Sequence, residues 1–287
     1  MKGIEIRPLE SQAEREACVA VQEEVWGRDF RDRVPASILL IATETGGVAT
    51  GAFEGDRLVG FVFGITGIRN GVPTHWSDML AVRASHRGRG IGYRLKLHQR
   101  QELLGRGVGL VRWTFDPLEA RNAHLNLNRL GALVGAYRRD LYGASNSPPH
   151  AGIGTDRLVA EWELESDRVR RRIGETGGGG ERDVEPPGSP GSIPAPHPGA
   201  PVQNPWRTGS PHPQPAGEPR WVDGPVVRVA VPADIQALKR DDLELARHWR
   251  RTARTALERC FDAGYTAVAA EPDGSVWYYV LARSLAR

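Results

Sequence analysis

The chain has 287 residues, more than one typical domain of about 150, and its 40% hydrophobic and 25% charged content excludes a collagen-like, coiled-coil or wholly disordered protein. Its 38 basic and 35 acidic residues leave a formal charge of +3, too balanced for the basic face that duplex nucleic acid requires. No run approaches the roughly 18 to 20 apolar residues of a bilayer-spanning helix, and Met1-Lys2-Gly3-Ile4-Glu5 has no signal-peptide character, so a cytoplasmic chain without membrane or nucleic-acid partners is expected.

The elements follow in chain order. Ile4 and Ile6 before Arg7-Pro8 read as a strand, and Ala13, Ala17, Ala20, Val21 and Val25 repeat at helical spacing behind Ser11, an N-cap residue type. A second helical piece spans Pro35 to Thr43. Val48 to Phe53 and Leu58 to Thr66 form a hairpin around Glu54-Gly55-Asp56. Trp76 to Val82 is a strand, and the glycine-rich residues 88–92 lead into a helix ending at Gly105-Arg106-Gly107. Val108 to Phe115 is a strand and Ala120 to Leu130 a helix, and two further strands, Ala132 to Tyr142 and Arg157 to Leu164, close the series.

A break in composition follows. Gly174 to Pro225 holds 11 Gly and 13 Pro, and proline removes backbone donors while few apolar groups remain to offset ordering. Residues 167–225 therefore read as a flexible linker, or as a docking peptide for an aromatic groove. Beyond it, Val226 to Val231 is a strand, and Ala246, Trp249, Ala253, Ala256, Leu257 and Cys260 make an amphipathic helix. Ala267 to Ala270 and Val276 to Leu281 form a hairpin around Pro272-Asp273-Gly274. Residues 226–287 are too few for a substantial core of their own, so they are expected to pack on residues 1–166 or on a second copy of the chain.

Cys18 and Cys260 stand alone, and His75, His86, His98, His124, His150, His197, His212 and His248 are dispersed, so neither a disulfide framework nor a metal site is expected. The informative stretch runs from Met79 to Gly92, a strand, a loop and a helix start containing Arg87-Gly88-Arg89-Gly90-Ile91-Gly92. Glycines let successive N–H groups face one concavity at the positive end of a helix, which suits a diphosphate. Arg87, Arg89, Arg94 and Lys96 add charge for further phosphates. A dinucleotide fingerprint fails because the third glycine position falls on Tyr93, and a nucleotide P-loop fails for want of Gly-Lys-Ser/Thr.

The remaining pattern, Arg/Gln-x-x-Gly-x-Gly/Ala, is met by Arg87, Gly90 and Gly92. Together with the strand order it resembles the acyl-CoA loop of the GCN5-related N-acetyltransferase (GNAT) superfamily, over about residues 3–165. The resemblance implies an α/β (α+β) fold: a mixed, mostly antiparallel sheet with a splayed parallel strand pair and flanking helices, here followed by a small β-α-β-β segment. It implies acetyl-CoA or another acyl-CoA as cosubstrate. Leu80, Ala81 and Val82 would pair with the pantetheine arm, the N–H groups of Arg87, Gly88, Arg89, Gly90, Ile91 and Gly92 would hold the pyrophosphate, and Asn122 and Asn126 would line the far side of the arm. Capping or surface roles remain open for both asparagines.

Acyl transfer to an amine requires a proton acceptor, a polarised carbonyl and a proton for the leaving thiolate. Strand alternation puts Trp76, Asp78, Leu80 and Val82 on one face of the central strand. Some GNAT enzymes carry a catalytic glutamate at the position of Trp76. Asp78 is the candidate base, with an ion pair or a turn cap as its other reading, and His75 is a second candidate. Many members carry a tyrosine acid where this chain has Leu127, which leaves Tyr137 or Tyr142 for that role, with Tyr142 preferred. Arg112, with Trp76, is a candidate contact for substrate. The expected function is transfer of a short acyl group to a primary amine of a small molecule such as an amino acid. A protein amine, or acyl-CoA binding without turnover, are the alternatives.

Overall fold

The computed structural model describes residues 3–143, 145, 147–174 and 197–283. The chain divides into two compact units: Met1–Trp113, Asn146–Pro148 and Trp162–Ser189 form one, and Thr114–Ser145, Pro149–Glu161 and Pro190–Arg287 the other.

In the first unit β1 (Ile4–Pro8), β2 (Val48–Glu54), β3 (Arg57–Arg69) and β4 (Val72–Val82) lie side by side in antiparallel register. The start of β5 (Leu110–Phe115) joins β4 in parallel. Helix α1 (Gln12–Trp26) begins with a capping box, in which Ser11 Oγ accepts from Glu14 N–H and the Glu14 carboxylate accepts from Ser11 N–H, satisfying amides that the first helical turn leaves open. With α2 (Ala36–Glu44) it covers one sheet face, where Cys18, Val21, Leu39, Phe53, Phe61, Phe63, Met79 and Ala81 pack together. On the opposite face α3 (Ile91–Gly105) sets Ile91 and Leu95 against Ala52, Val59 and Val62.

The second unit contains α4 (Ala120–Ala123), which continues as a π-helical turn through His124–Arg129. Its sheet comprises β6 (Leu133–Arg138), β7 (Arg157–Glu163), β10 (Val226–Pro232), β11 (Tyr265–Asp273) and β12 (Val276–Arg283). β11 pairs with β6 through Ala267 and Val134, so the C-terminal strands share a sheet with β6 and β7. The C-terminal helical region is two helices, α6 (Ile235–Asp241) and α7 (Leu243–Asp262), because the Asp242 carboxyl accepts from Leu245 N–H and starts a new helix. Within the stretch read as a linker, Asp167–Ile173 is a helix, α5. Trp206–Arg207 (β8) pairs with Gln214–Pro215 (β9), while residues 175–196 lie outside the described residues.

Three side-chain amides stand in for a backbone partner in this unit. Asn128 accepts from Ala270 N–H at 2.8 Å and donates to Ala270 C=O at 2.9 Å. Asn204 does the same to Ala230 at 2.7 and 2.8 Å, and Gln203 to Val222 at 3.0 and 2.8 Å. A primary amide carries the same donor and acceptor as a peptide group, so each dock satisfies two backbone groups at once. Asn128→Ala leaves both groups of buried Ala270 unpaired, and chemical denaturation is expected to show a loss of about 2 to 4 kcal/mol; a loss below about 0.5 kcal/mol contradicts the dock.

Candidate functional site

Only Thr74, His75 and Trp76 of β4 pair with Leu110, Val111 and Arg112 of β5. Among the described residues, no strand pairs from Ser77 onward with the edge of β4 that faces β5, so the parallel pairing ends there. A bulge marks the same place. Phe63 faces Met79 and Ile65 faces Trp76, so β4 has one residue more than β3 across this interval. Gly64 lies opposite the bulge, and a Cβ there would collide with the His75 imidazole and the Trp76 carbonyl.

The bulge corrects the expected alternation. His75 and Ser77 reach Gln99 of α3, while Met79 and Ala81 enter the core beneath α1 and α2, and Leu80 and Val82 pack on the α3 side. Trp76 and Asp78 therefore do not share a face with Leu80 and Val82, because the extra residue reverses the phase of the pleat. Trp76 hydrogen-bonds the Asp78 carboxyl, which is nonetheless raised above its ordinary value, first by desolvation and further by Asp32. Among the described residues Asp78 has no basic partner, so its carboxyl is suited to receive a proton.

The glycine-rich turn is built as an anion cradle. A 3-10 turn at Ala84–His86 follows β4. Gly88 and Gly90 take left-handed conformations with φ of +76° and +72°, where a side chain is strained. Gly90 caps α3 without any side-chain hydrogen bond, which leaves the first-turn amides of Ile91 and Gly92 open. Arg87 Nε donates to the Val82 carbonyl at 3.0 Å, and Glu54 accepts from His86 and pairs with Arg89 at 3.6 Å. These bonds fix the turn against β2 and β4. The residues present thus fit a diphosphate at the turn and an extended arm along the open edge of β4.

Two expectations about charge change. Arg94 donates to the Ile4 carbonyl at 2.7 Å. Lys96 is 2% exposed and cannot reach a phosphate, since it lies on the inward stripe of α3 with Leu95, Gln99 and Leu103. Its Nζ donates to Ser77 Oγ at 2.9 Å and to Gln99 Oε1 at 3.0 Å, and stands 3.9 Å from the Trp113 ring centroid. The Gln99 amide then meets His75 Nε2 at 3.1 Å, and His75 Nδ1 meets Thr66 Oγ1 at 2.9 Å. Because Thr66 Oγ1 donates to the Gly46 carbonyl, His75 carries its proton on Nδ1 and accepts on Nε2. Burial and the nearby Lys96 push His75 down to about 3, so it is a neutral core residue rather than a base. Sequence reading missed this network; the signal was the polar Lys96 and Gln99 inside an apolar helical stripe.

Arg112 closes the parallel pairing on β5 opposite Trp76. The other predicted residues belong to the second unit. Asn122 is exposed and Asn126 buried, and the Asn126 side chain makes no hydrogen bond among the described residues. Tyr142 follows the end of β6 rather than lying on it; its hydroxyl is 2.9 Å from Thr114 Oγ1, with Arg157 over its ring. Tyr137 is committed to Asp156 at 2.5 Å, a carboxylate also held by Arg254. Leu127 is fully buried.

Burial alone pushes Lys96 from 10.5 down to about 7. Between those values the unfolded chain binds a proton that the folded chain does not, so stability rises with pH across that window, by at most about 1.4 kcal/mol per pH unit. His75 acts in the same sense only at lower pH, below 6.5. Lys96→Met is expected to flatten the rise and to melt higher than wild type at pH 7; melting curves at pH 7, 8 and 9 that rise equally in both proteins would rule out Lys96 as the titrating group.

Residues 10–131 match the sequence profile of the acetyltransferase (GNAT) family. No curated protein matches the sequence. Similar solved structures include the ribosomal-protein-S18-alanine N-acetyltransferase from Escherichia coli, 17% identical over 57% of this chain and 96% of that one with a TM-score of 0.44. An acetyltransferase of the GNAT family from Streptococcus pneumoniae is 13% identical over 55% and 98%, TM-score 0.44, and aminoglycoside 6'-acetyltransferase type Ii is 17% identical over 56% and 98%, TM-score 0.43. Residues 10–131, which hold the bulged β4, the glycine turn and α3, are thus the part of the chain that matches the GNAT family of acetyltransferases.

Proposed function

We propose that the chain moves an acetyl or other short acyl group from acyl-CoA to the primary amine of a small molecule such as an amino acid, by direct attack in a ternary complex. The observation that carries the reading is the pair of left-handed glycines and open amides at the start of α3, beside the unpartnered edge of β4. Acyl-CoA supplies an activated thioester carbonyl. Backbone amides of Gly88 to Gly92 hold the pyrophosphate, and Leu80 to Val82 hold the arm. The amine nitrogen bonds to the carbonyl carbon as the carbon–sulfur bond breaks. Asp78 takes the amine proton, directly or through water, and its raised carboxyl pKa favours that step.

Asn122 and Asn126 are assigned to the cofactor arm, Trp76 and Arg112 to the acceptor, and Tyr142 to the proton returned to sulfur. The chemistry is assigned to residues 1–166. Both cysteines are free and buried, which suits a reducing cytoplasm.

Gly92 offers a clean test, because a Cβ there makes only an ordinary 3.7 Å contact with Leu80 and glutamate near a helix start does not disfavour the helix. Gly92→Glu is expected to stay folded yet lose the stabilisation of about 2.7 kcal/mol that a ligand at a hundred times its dissociation constant confers. Equal thermal shifts with acetyl-CoA in variant and wild type would overturn the pyrophosphate assignment. Asp78→Asn should lower kcat for amine-dependent CoA release by about 10²-fold or more with acetyl-CoA affinity unchanged. Normal turnover in that variant removes Asp78 as the base, and acetyl-CoA binding by wild type without thiol release from any amine favours a binding module.

A further inference from the structure

The backbone stops joining β4 to β5 after Trp76 and Arg112, and the next residue on each strand is held by one side chain from α3. Lys96 Nζ donates to Ser77 Oγ at 2.9 Å on β4 and lies 3.9 Å from the Trp113 ring centroid on β5. Trp162 stands edge-on to Trp113 and brings a second ring within 5.7 Å of the same nitrogen. Gln99 fixes the other side, accepting from both Lys96 and Ser77. Ser77 and Trp113 are themselves only 5% and 6% exposed, so these contacts exclude water at the apex of the gap.

Among the described residues Lys96 has no carboxylate partner. Its surroundings are a hydroxyl, an amide and indole rings, with the neutral His75 beyond Gln99. An amine in such a place costs stability that a methionine of similar length would not. A group that lowers the stability of its own fold, and touches both strands where they part, is placed to hold geometry rather than to hold the fold together.

We infer that Lys96 is a positioning residue for acyl transfer: by tying Ser77 of β4 to Trp113 of β5 it sets the width of the gap that admits the thioester arm. The inference rests on the acyl-CoA reading above. Ser77 also precedes Asp78, so the same clasp holds the bulge that presents the carboxyl.

The test measures acetyl-CoA affinity by calorimetry, amine-dependent CoA release and melting temperature for wild type, Lys96→Met, Ser77→Ala and the double variant. Lys96→Met should melt higher at pH 7 yet bind acetyl-CoA about tenfold more weakly, the scale of one lost net hydrogen bond. Ser77→Ala should weaken binding in the same direction without removing the amine, and the double variant should be no worse than the worse single one, because both cut one clasp. A purely structural lysine would move melting temperature and leave affinity alone. Unchanged affinity and kcat/KM in folded Lys96→Met and Ser77→Ala overturn the inference while leaving the acyl-CoA reading intact; if wild type binds neither acetyl-CoA nor CoA, both fall together.

Discussion

Everything proposed for the first unit depends on a pairing that stops. Three residues of β4 and three of β5 face one another in parallel, Thr74 to Trp76 against Leu110 to Arg112, and past them the strands separate. Parallel strands ordinarily satisfy their backbone groups against each other, so the released edge of β4 has donors and acceptors to offer an extended ligand. The bulge at Ser77 and Asp78 makes the separation local: one extra residue bends β4 and reverses its pleat. Gly64 makes the bulge possible from the neighbouring strand, since any side chain there would meet His75 and the Trp76 carbonyl.

That opening has to be held from within, and polar groups do it. His75, Ser77, Lys96 and Gln99 are all buried, and an unbroken chain of hydrogen bonds runs from Lys96 to the Gly46 carbonyl. A buried network that is fully bonded defines one geometry, whereas one broken member leaves costly unpaired groups. The second unit uses the same currency differently. Asn128 and Asn204 imitate backbone beside strand residues Ala270 and Ala230, and Gln203 does so at Val222 in irregular chain; the last two anchor proline-rich chain that offers few N–H groups of its own.

Local grammar was legible in the sequence where one residue type has one physical use. Ser11 announces a helix start, Gly55 a turn, and Gly90 a left-handed entry into α3; the order of strands and helices through β7 follows from periodicity. The bulge was not legible, because alternation in Trp76 to Val82 reads as an unbroken strand and only pairing with β3 reveals the extra residue. Lys96 looked like phosphate charge because it stands near the glycine turn, while its direction is set by α3's inward stripe. Asn128 carries no local hint of its use, a dock to Ala270, 142 residues away in sequence. Long-range partners of this kind leave no local signature.

The proton requirements of acyl transfer explain why Leu127 can occupy the place of a family tyrosine. An alkylammonium has a pKa near about 10.4, so near neutral pH the attacking nitrogen must shed a proton, and afterwards a second one as it becomes an amide. A thiol, at about 8.5, leaves as a thiolate at modest cost. The two ends of the reaction therefore differ in what they ask of the protein. In the proposed reaction the end that asks more is assigned to Asp78, whose carboxyl is raised above its ordinary value, and the end that asks less to a hydroxyl such as Tyr142 or to a water. On that proposal an apolar, fully buried Leu127 lacks an aid to the leaving group rather than a requirement of the chemistry, and the proposed site depends on the carboxyl at the bulge and on what holds that bulge in place.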